Sequence, residues 1–343
     1  MRVLVVTDAW HPQVNGVVRS LEQLEAEARR MGEEIVFITP EQFRTVPMPG
    51  YAEIRLSLAR PKILNDLIDA AKPDAVHLAT EGPLGLLARR ACRARNLSFT
   101  TCYHTRYPQY LRARLPVPEQ LTYALLRKFH NSGDGTMVAT EALGDELRDK
   151  GFNRLMLWSR GVDTDLFRPR DERILALPGP IYLCVARLAV EKNLEAFLSL
   201  DLEGSKVIVG DGPDRVRLQA TYPDAHFLGA QFGEDLARLY ASADAFVFPS
   251  RTETFGLVLL EALASGLPIA AFPGLGLIRD VADAGCAILD DNLAVAARQA
   301  IRLSSKDARA FASQFSFEQS TRQFFDNVQR GIDPLGKSLR SPQ

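Results

Sequence analysis

Two glutamates eight residues apart, Glu253 and Glu261, enclose the run Thr254-Phe255-Gly256-Leu257-Val258. A loop containing a glycine opens there directly into a helix. Free N–H groups at 255–258 and the positive end of the helix dipole make a ready anion site. Glu253 precedes the helix and Glu261 lies about one and a half turns inside it. One carboxylate can then meet a sugar hydroxyl while the other reaches a neighbouring diol. A capping acid plus a solvated helix glutamate would give the same spacing. Arg187 and Lys192 bracket a short loop at another helix start, with Leu188-Ala189-Val190-Glu191 between them. A forked guanidinium and a point-charge ammonium suit a diphosphate; a solvated loop with a Glu191 ion pair is the other reading. Gly210-Asp211-Gly212-Pro213 is a tight turn, equally good as a plain strand-to-helix connection. Gly16 opens a helix after the first strand, where a glycine lets backbone approach a ligand. Gly-x-Gly-x-x-Gly is absent, which counts against a dehydrogenase. His104 follows a strand end, in Tyr103-His104-Thr105-Arg106-Tyr107, where it could face a ligand or be a hydrogen-bonded structural residue. His11, His77, His130 and His226 read as structural or surface.

A different chemistry is written in residues 89–128, where nine cations stand against one acid, Glu119. Arg106, Arg112 and Arg114 are interleaved with Tyr103, Tyr107, Tyr110, Leu111, Leu115 and Val117. A cationic surface with aromatic and aliphatic contacts is how a protein lies on anionic lipid; an ordinary solvated basic face has the same composition. The whole chain carries a net charge of only −1, which gives no general reason for nucleic-acid binding. Residues 1–170 are net +4 and 171–343 net −5, so the molecule is dipolar. Four scattered cysteines without Cys-x-x-Cys exclude a zinc ribbon and a disulfide scaffold, and suit a reducing cytoplasm. The opening Met1–Asp8 is too short an apolar run for a signal sequence, and no run approaches the roughly 18 apolar residues of a spanning helix. Any membrane role is therefore peripheral.

The elements that must position these residues alternate. Strands are expected at 2–7, 34–39, 74–78, 98–102, 135–138 and 154–157. Helices are expected at 17–31, 61–72, 84–95, 117–131 and 141–150. Alternation of this kind means a parallel sheet. Charges and prolines at 168–180 read as a linker. The pattern then restarts with strands at 181–185, 206–209, 225–228, 244–248, 268–272 and 286–289. Helices are expected there at 193–200, 213–221, 232–242, 256–265, 275–283 and 291–303. The expected fold is α/β, two doubly wound Rossmann-like domains of similar size: 1–168 and 169–315. A helix at 316–330 and a tail at 331–343 follow. Ligands in such sheets collect at the carboxyl ends of strands, and the loops that carry Gly16, His104, Arg187, Gly210 and Glu253 each follow one.

Taken together, and in this order, the Gly16 loop, the His104 loop, Gly161-Val162-Asp163, Arg187…Lys192, Gly210-Asp211-Gly212 and Glu253…Glu261 resemble the family 4 glycosyltransferases along nearly the whole chain. One departure is Ala186, where a glycine often precedes the arginine. The resemblance implies the GT-B fold, two Rossmann-like domains facing across a cleft, with acceptor binding in the first and donor binding in the second. The last helix would return to the first domain. It implies a nucleotide-sugar donor as substrate, no cofactor, and retention of the anomeric configuration. Arg187 and Lys192 would hold the diphosphate, Glu261 the ribose and Glu253 the sugar hydroxyls. Backbone near Phe255, Gly256, Leu257, Val258 and Gly16 would approach phosphates and sugar, with Gly210 and Asp211 in the donor site. His104 would lie beside the transferred sugar, so that His104, Arg187, Lys192 and Glu253 form the catalytic set. No metal is expected: the cation pair can replace a magnesium ion.

The opening Thr7–Arg19 and Trp158-Ser159-Arg160-Gly161-Val162-Asp163 look most like the bacterial branch that glycosylates diacylglycerol and related lipids. The expected partners are therefore UDP-glucose or UDP-glucuronic acid and a lipid acceptor at an anionic membrane surface. Arg106, Tyr107, Arg112 and Arg114 would serve the acceptor and the membrane, with His104 and Arg106 near the inner end of the acceptor's route and Arg112 and Arg114 nearer the membrane. The protein would sit on the inner face of the cell membrane. A GDP-mannose-dependent α-mannosyltransferase, a GT-B nucleotide-sugar epimerase and a two-lobed ligand-binding protein are the rival readings.

Overall fold

The first apolar run becomes β1 (Arg2–Val6), with Val3, Leu4, Val5 and Val6 all fully buried. Alternation along the strand divides them between two core layers. Val3 and Val5 join Leu21, Leu24, Trp158 and Phe324; Leu4 and Val6 join Ile38, Leu64, Leu84 and Phe129. Each such side chain contributes about 1.5–3 kcal/mol relative to an exposed one. The computed structural model describes residues 1–13, 15–48, 51–112, 116–251, 253–274 and 276–333.

The chain forms two units, Met1–Arg160 with the segment from Phe317 onward, and Gly161–Ser316. In the first, β2 (Glu34–Ile38) pairs with β1, Arg2 opposite Glu34 and Val6 opposite Ile38. A hairpin of β3 (Thr45–Met48) and β4 (Tyr51–Ser57) follows, apart from the main sheet. It is not among the expected elements, and it carries Pro47, a residue tolerated in a strand only where its missing N–H is not needed by a sheet partner. Then come β5 (Ala75–Leu78), β6 (Phe99–Cys102), β7 (Gly135–Val138) and β8 (Leu155–Leu157). The parallel sheet has the order β2-β1-β5-β6-β7-β8. The helix Phe317–Ile332 closes one face of this sheet with Phe324, Phe325 and Val328. Asn327 donates to the Leu157 carbonyl (2.7 Å) and Ser320 to that of Ser159 (2.7 Å).

The second unit repeats the arrangement with β9 (Ile181–Val185), β10 (Ser205–Val209), β11 (His226–Phe227), β12 (Ala245–Phe248), β13 (Ile269–Ala271) and β14 (Ala287–Leu289). Its order is β11-β10-β9-β12-β13-β14, all parallel. The division falls at 160/161 instead of 168/169, since residues 161–167 are held by the second unit. Val162 N donates to the Phe315 carbonyl (3.0 Å), Phe167 packs edge-on against Tyr240, and Arg309 donates to the carbonyls of Thr164 and Phe167. A helix absent from the sequence reading, Ser305–Ala312, is capped by Ser304, whose hydroxyl accepts from Asp307 N at 3.2 Å. The helix expected at 193–200 is shorter: a 3₁₀ turn Val190–Lys192, Asn193 in the left-handed region at φ 52°, then Glu195–Leu198. Another short helix, Tyr107–Arg112, follows β6.

Candidate active site

In the second unit the chain leaves β9 toward β10 on one side and later places β12 on the other. That makes the carboxyl ends of β9 and β12 a topological switch point, where open α/β sheets bind ligands. Two contacts tie the loops there together. Lys192 Nζ lies 2.6 Å from Glu253 Oε2, with about a fifth of each side chain exposed (19% and 23%). Asn193 Nδ2 donates to the Pro249 carbonyl at 3.0 Å. The residues assigned to diphosphate and to sugar are thus direct partners. Arg187 is half-buried on the same loop.

Gly210 explains how that loop is seated. Its φ is 138°, and a Cβ would lie 1.9 Å from the Ala186 carbonyl oxygen, so the turn after β10 must pack backbone against backbone. Leu188 N then donates to the Asp211 carbonyl (2.9 Å). The Asp211 carboxylate accepts from Gly212 N (2.7 Å) and Arg215 (2.9 Å). This turn supports the Arg187 loop; its side chain is committed to its own helix.

Gly256, at φ 84°, turns the chain into the helix Leu257–Ala264. Phe255 beneath it is buried, 6.4 Å from the Phe315 ring. The backbone N–H groups of Leu257 and Val258 occupy the first turn, where a helix offers no internal acceptor. Glu261 is no solvated glutamate. It is 4% exposed and accepts from the Tyr240 hydroxyl at 2.9 Å. Tyr240, on Gly233–Ala241, gave no local sequence signal.

In the first unit the switch point lies between β1 and β5. Gly16 begins the helix Gly16–Arg30, whose cap is Asn15; its Oδ1 accepts from Val17 N and Val18 N, both at 3.0 Å. Asp8 caps the helix Pro83–Ala94, accepting from Leu84 N (2.8 Å), Gly85 N (3.1 Å) and the Thr80 hydroxyl (2.9 Å). Burial nonetheless pushes its carboxyl up, against those hydrogen bonds. His104, half-buried, packs edge-on against Trp158. Its Nδ1 is 3.3 Å from Arg160 Nη2. Burial first, then the Arg160 charge and more weakly His77 and His130, hold its pKa well below the usual value. His130, read as structural or surface, has chemical company: Nε2 is 2.9 Å from Glu81 Oε1 and Nδ1 2.9 Å from Thr101 Oγ1. Arg160 meets His104 across 56 residues, a separation about which its own segment, Trp158–Asp163, carries no local signal.

The cationic stretch divides. Arg106 is 14% exposed and held by Glu146 through two contacts of 2.8 and 3.0 Å. Burial works against ionising Glu146, but the hydrogen bonds and charge of Arg106 outweigh it and keep the carboxyl below its ordinary range. Arg106 is thus held by Glu146 and is not part of an exposed cationic face. Arg112 is 66% exposed with a loose Glu119 contact at 3.7 Å, Tyr107 is 37% exposed, and Arg114 lies outside the described residues. Glu119–His130 adds two apolar residues that are not among the expected membrane contacts, Leu121 and Leu125, 56% and 64% exposed, on the face that also exposes Lys128. Among the described residues, no helix is long and apolar enough to cross a membrane and no His, Cys, Asp or Glu group is arranged to hold a metal.

Comparison with known proteins gives these sites a family. The sequence model of Glycosyltransferase Family 4 matches residues 14–166, and that of Glycosyl transferases group 1 matches residues 179–314. The chain is 35% identical over 308 residues to a GDP-mannose-dependent alpha-mannosyltransferase of Mycobacterium tuberculosis, covering 82% of this chain and 81% of the relative. It is 28% identical to an alpha-monoglucosyldiacylglycerol synthase of Streptococcus pneumoniae, covering 79% and 71%. HepE of Anabaena, solved in complex with UDP-glucose, superposes with a TM-score of 0.71 at 14% identity, covering 96% and 99%.

Proposed function

This chain belongs to the family 4 glycosyltransferases, and on that premise we propose that it transfers glucose or glucuronic acid from the UDP-sugar to diacylglycerol with retention. The observation that carries the transfer chemistry is the Lys192–Glu253 pair joining the loops after β9 and β12. A bound diphosphate draws Lys192 toward its oxygens, beside Arg187 and the N–H groups of Leu257 and Val258. Glu253 is thereby released to accept hydrogen bonds from the sugar. As the bond from anomeric carbon to phosphate oxygen breaks, negative charge grows on the diphosphate, and these fixed donors stabilise it without reorganising. The acceptor hydroxyl attacks from the face the leaving group vacates. Its proton passes to the departing phosphate oxygen, so the cation pair serves where another enzyme would use a metal. Glu261, held by Tyr240, binds the ribose.

The lipid acceptor rests on the exposed Leu121, Leu125, Arg112 and Lys128 and on the similarity to a glucosyldiacylglycerol synthase. On this reading the protein works peripherally at the inner face of the cell membrane. A second reading, GDP-mannose as donor, is favoured by the 35% identity to the mannosyltransferase. A panel of UDP- and GDP-sugars, offered with diacylglycerol vesicles in the presence of EDTA and read by mass spectrometry, separates them. A hexosyl- or hexuronosyldiacylglycerol from a UDP-sugar supports the first reading. Product from GDP-mannose alone supports the second, and donor turnover without any acceptor would point to an epimerase.

A further inference from the structure

Arg160 is 6% exposed, yet among the described residues no carboxylate pairs with it. Nη1 donates to the carbonyls of Trp158 (2.5 Å) and Ser159 (3.2 Å). Nη2 reaches His104 Nδ1 (3.3 Å) and Cys102 Sγ (3.6 Å), and the guanidinium lies 3.9 Å above the Trp158 ring. An arginine buried among neutral groups is expensive to keep, so what it orders is informative. Its guanidinium only donates. A contact between Arg160 Nη2 and His104 Nδ1 is a hydrogen bond only if that nitrogen carries no proton, and the ring proton is then on Nε2.

We propose that Arg160 is a positioning residue that fixes His104 in its neutral Nε2–H tautomer, making His104 a hydrogen-bond donor to a substrate oxygen and never a base. With Nε2 protonated and Nδ1 occupied, the ring has no lone pair to take the acceptor's proton. The surroundings agree. Cys102 on β6 remains a thiol, pushed up to about 12 by burial against the opposing Arg160 charge. His77 on β5 is pushed down to about 3, chiefly by burial. His130, the remaining ring among the groups that bear on His104, is tied to Glu81 and Thr101. None of these facing groups offers His104 a carboxylate that would favour the imidazolium. The inference rests on the transferase reading only for the identity of the oxygen that receives the bond; the tautomer itself does not.

The test is ¹⁵N NMR of the histidine-labelled full chain between pH 5.5 and 8. The expected spectrum shows His104 with a pyridine-like Nδ1 and a pyrrole-like Nε2 throughout, without titration. In Arg160→Met, which removes the donor, the two tautomers mix and the ring titrates at higher pH than in the native protein. A native His104 that is protonated on Nδ1, or titrates within that range, overturns the proposal whatever the donor proves to be. Transfer assays add a second readout with the chain's own reaction. His104→Gln, which keeps an N–H donor, should retain about 10²-fold more kcat/KM than His104→Glu, the size of one lost oxyanion-type donor. The reverse order would make His104 a base and refute the donor role.

Discussion

Replacing Glu253 by glutamine should tighten binding of the nucleoside diphosphate while damaging transfer. In the ligand-free protein Lys192 is 2.6 Å from the Glu253 carboxylate, and both are largely shielded from solvent. A diphosphate entering this site competes with Glu253 for the ammonium and is repelled by the carboxylate. A unit charge at about 5 Å contributes about 3 kcal/mol at an effective dielectric of about 20. The remaining exposure of each side chain calls for roughly halving it, leaving about 1.5 kcal/mol, or about tenfold in affinity. Glu253→Gln should therefore bind UDP about tenfold more tightly. Lys192→Ala should bind it at least tenfold more weakly, because the carboxylate is then uncompensated. The double variant should recover most of what Lys192→Ala loses, because removing the carboxylate removes the repulsion that Lys192 no longer offsets. Calorimetric titration of UDP into the four proteins measures this. All three variants should transfer poorly, Lys192→Ala by roughly 10²-fold or more in kcat/KM. A double variant that binds as weakly as Lys192→Ala, or weaker UDP binding by Glu253→Gln, would show that the ion pair is not where the diphosphate goes.

Tyr240→Phe leaves the buried Glu261 one donor short, and should cost about 1–3 kcal/mol of stability and weaken nucleotide binding more than turnover; unchanged denaturation and UDP affinity would remove Tyr240 from the site. His77, buried and held at about 3 against an ordinary 6.5, is protonated first in the unfolded chain as pH falls. Its contribution to stability is intact above pH 6.5 and is lost progressively between 6.5 and 3. Urea unfolding at pH 7 and pH 5 should thus differ by about 2 kcal/mol from this group, and His77→Gln should flatten that dependence. Replacing Leu121 and Leu125 by serine together with Arg112→Glu should reduce sedimentation with anionic vesicles by tenfold or more, at about 1 kcal/mol for the arginine and more for the leucines. If the native protein stays in the supernatant at low salt, the lipid surface is elsewhere.

The strands and their order along the chain were legible because fully buried parallel strands are continuous apolar runs, as Val3–Val6 and Ala245–Phe248 show. The motif loops could be placed for the same reason: each follows such a run. Pairings across long separations were not legible. Lys192 meets Glu253 across 61 residues, Tyr240 meets Glu261 across 21, Arg160 meets His104 across 56 and Arg106 meets Glu146 across 40. Local spacing says nothing about those distances; they follow from which strands are neighbours. The same cause sets the buried Arg106, paired with Glu146, apart from the exposed Arg112. The division at residue 160 was hidden because the charges and prolines at 168–180 run along the surface of the second unit. Arg170 pairs there with Glu234 and Arg173 with Asp244, in place of a bare linker.

The most direct test of the central claim, a donor site built where the β9 and β12 loops meet, is the stoichiometry of one reaction in two proteins. Native protein, UDP-glucose and diacylglycerol vesicles should yield one glucosyldiacylglycerol per UDP released, with the anomeric proton coupling of the donor's own configuration. Lys192→Ala, folded by circular dichroism, should yield roughly a hundredth of that rate or less. Equal rates in the two proteins, or a product of inverted configuration, would contradict the account.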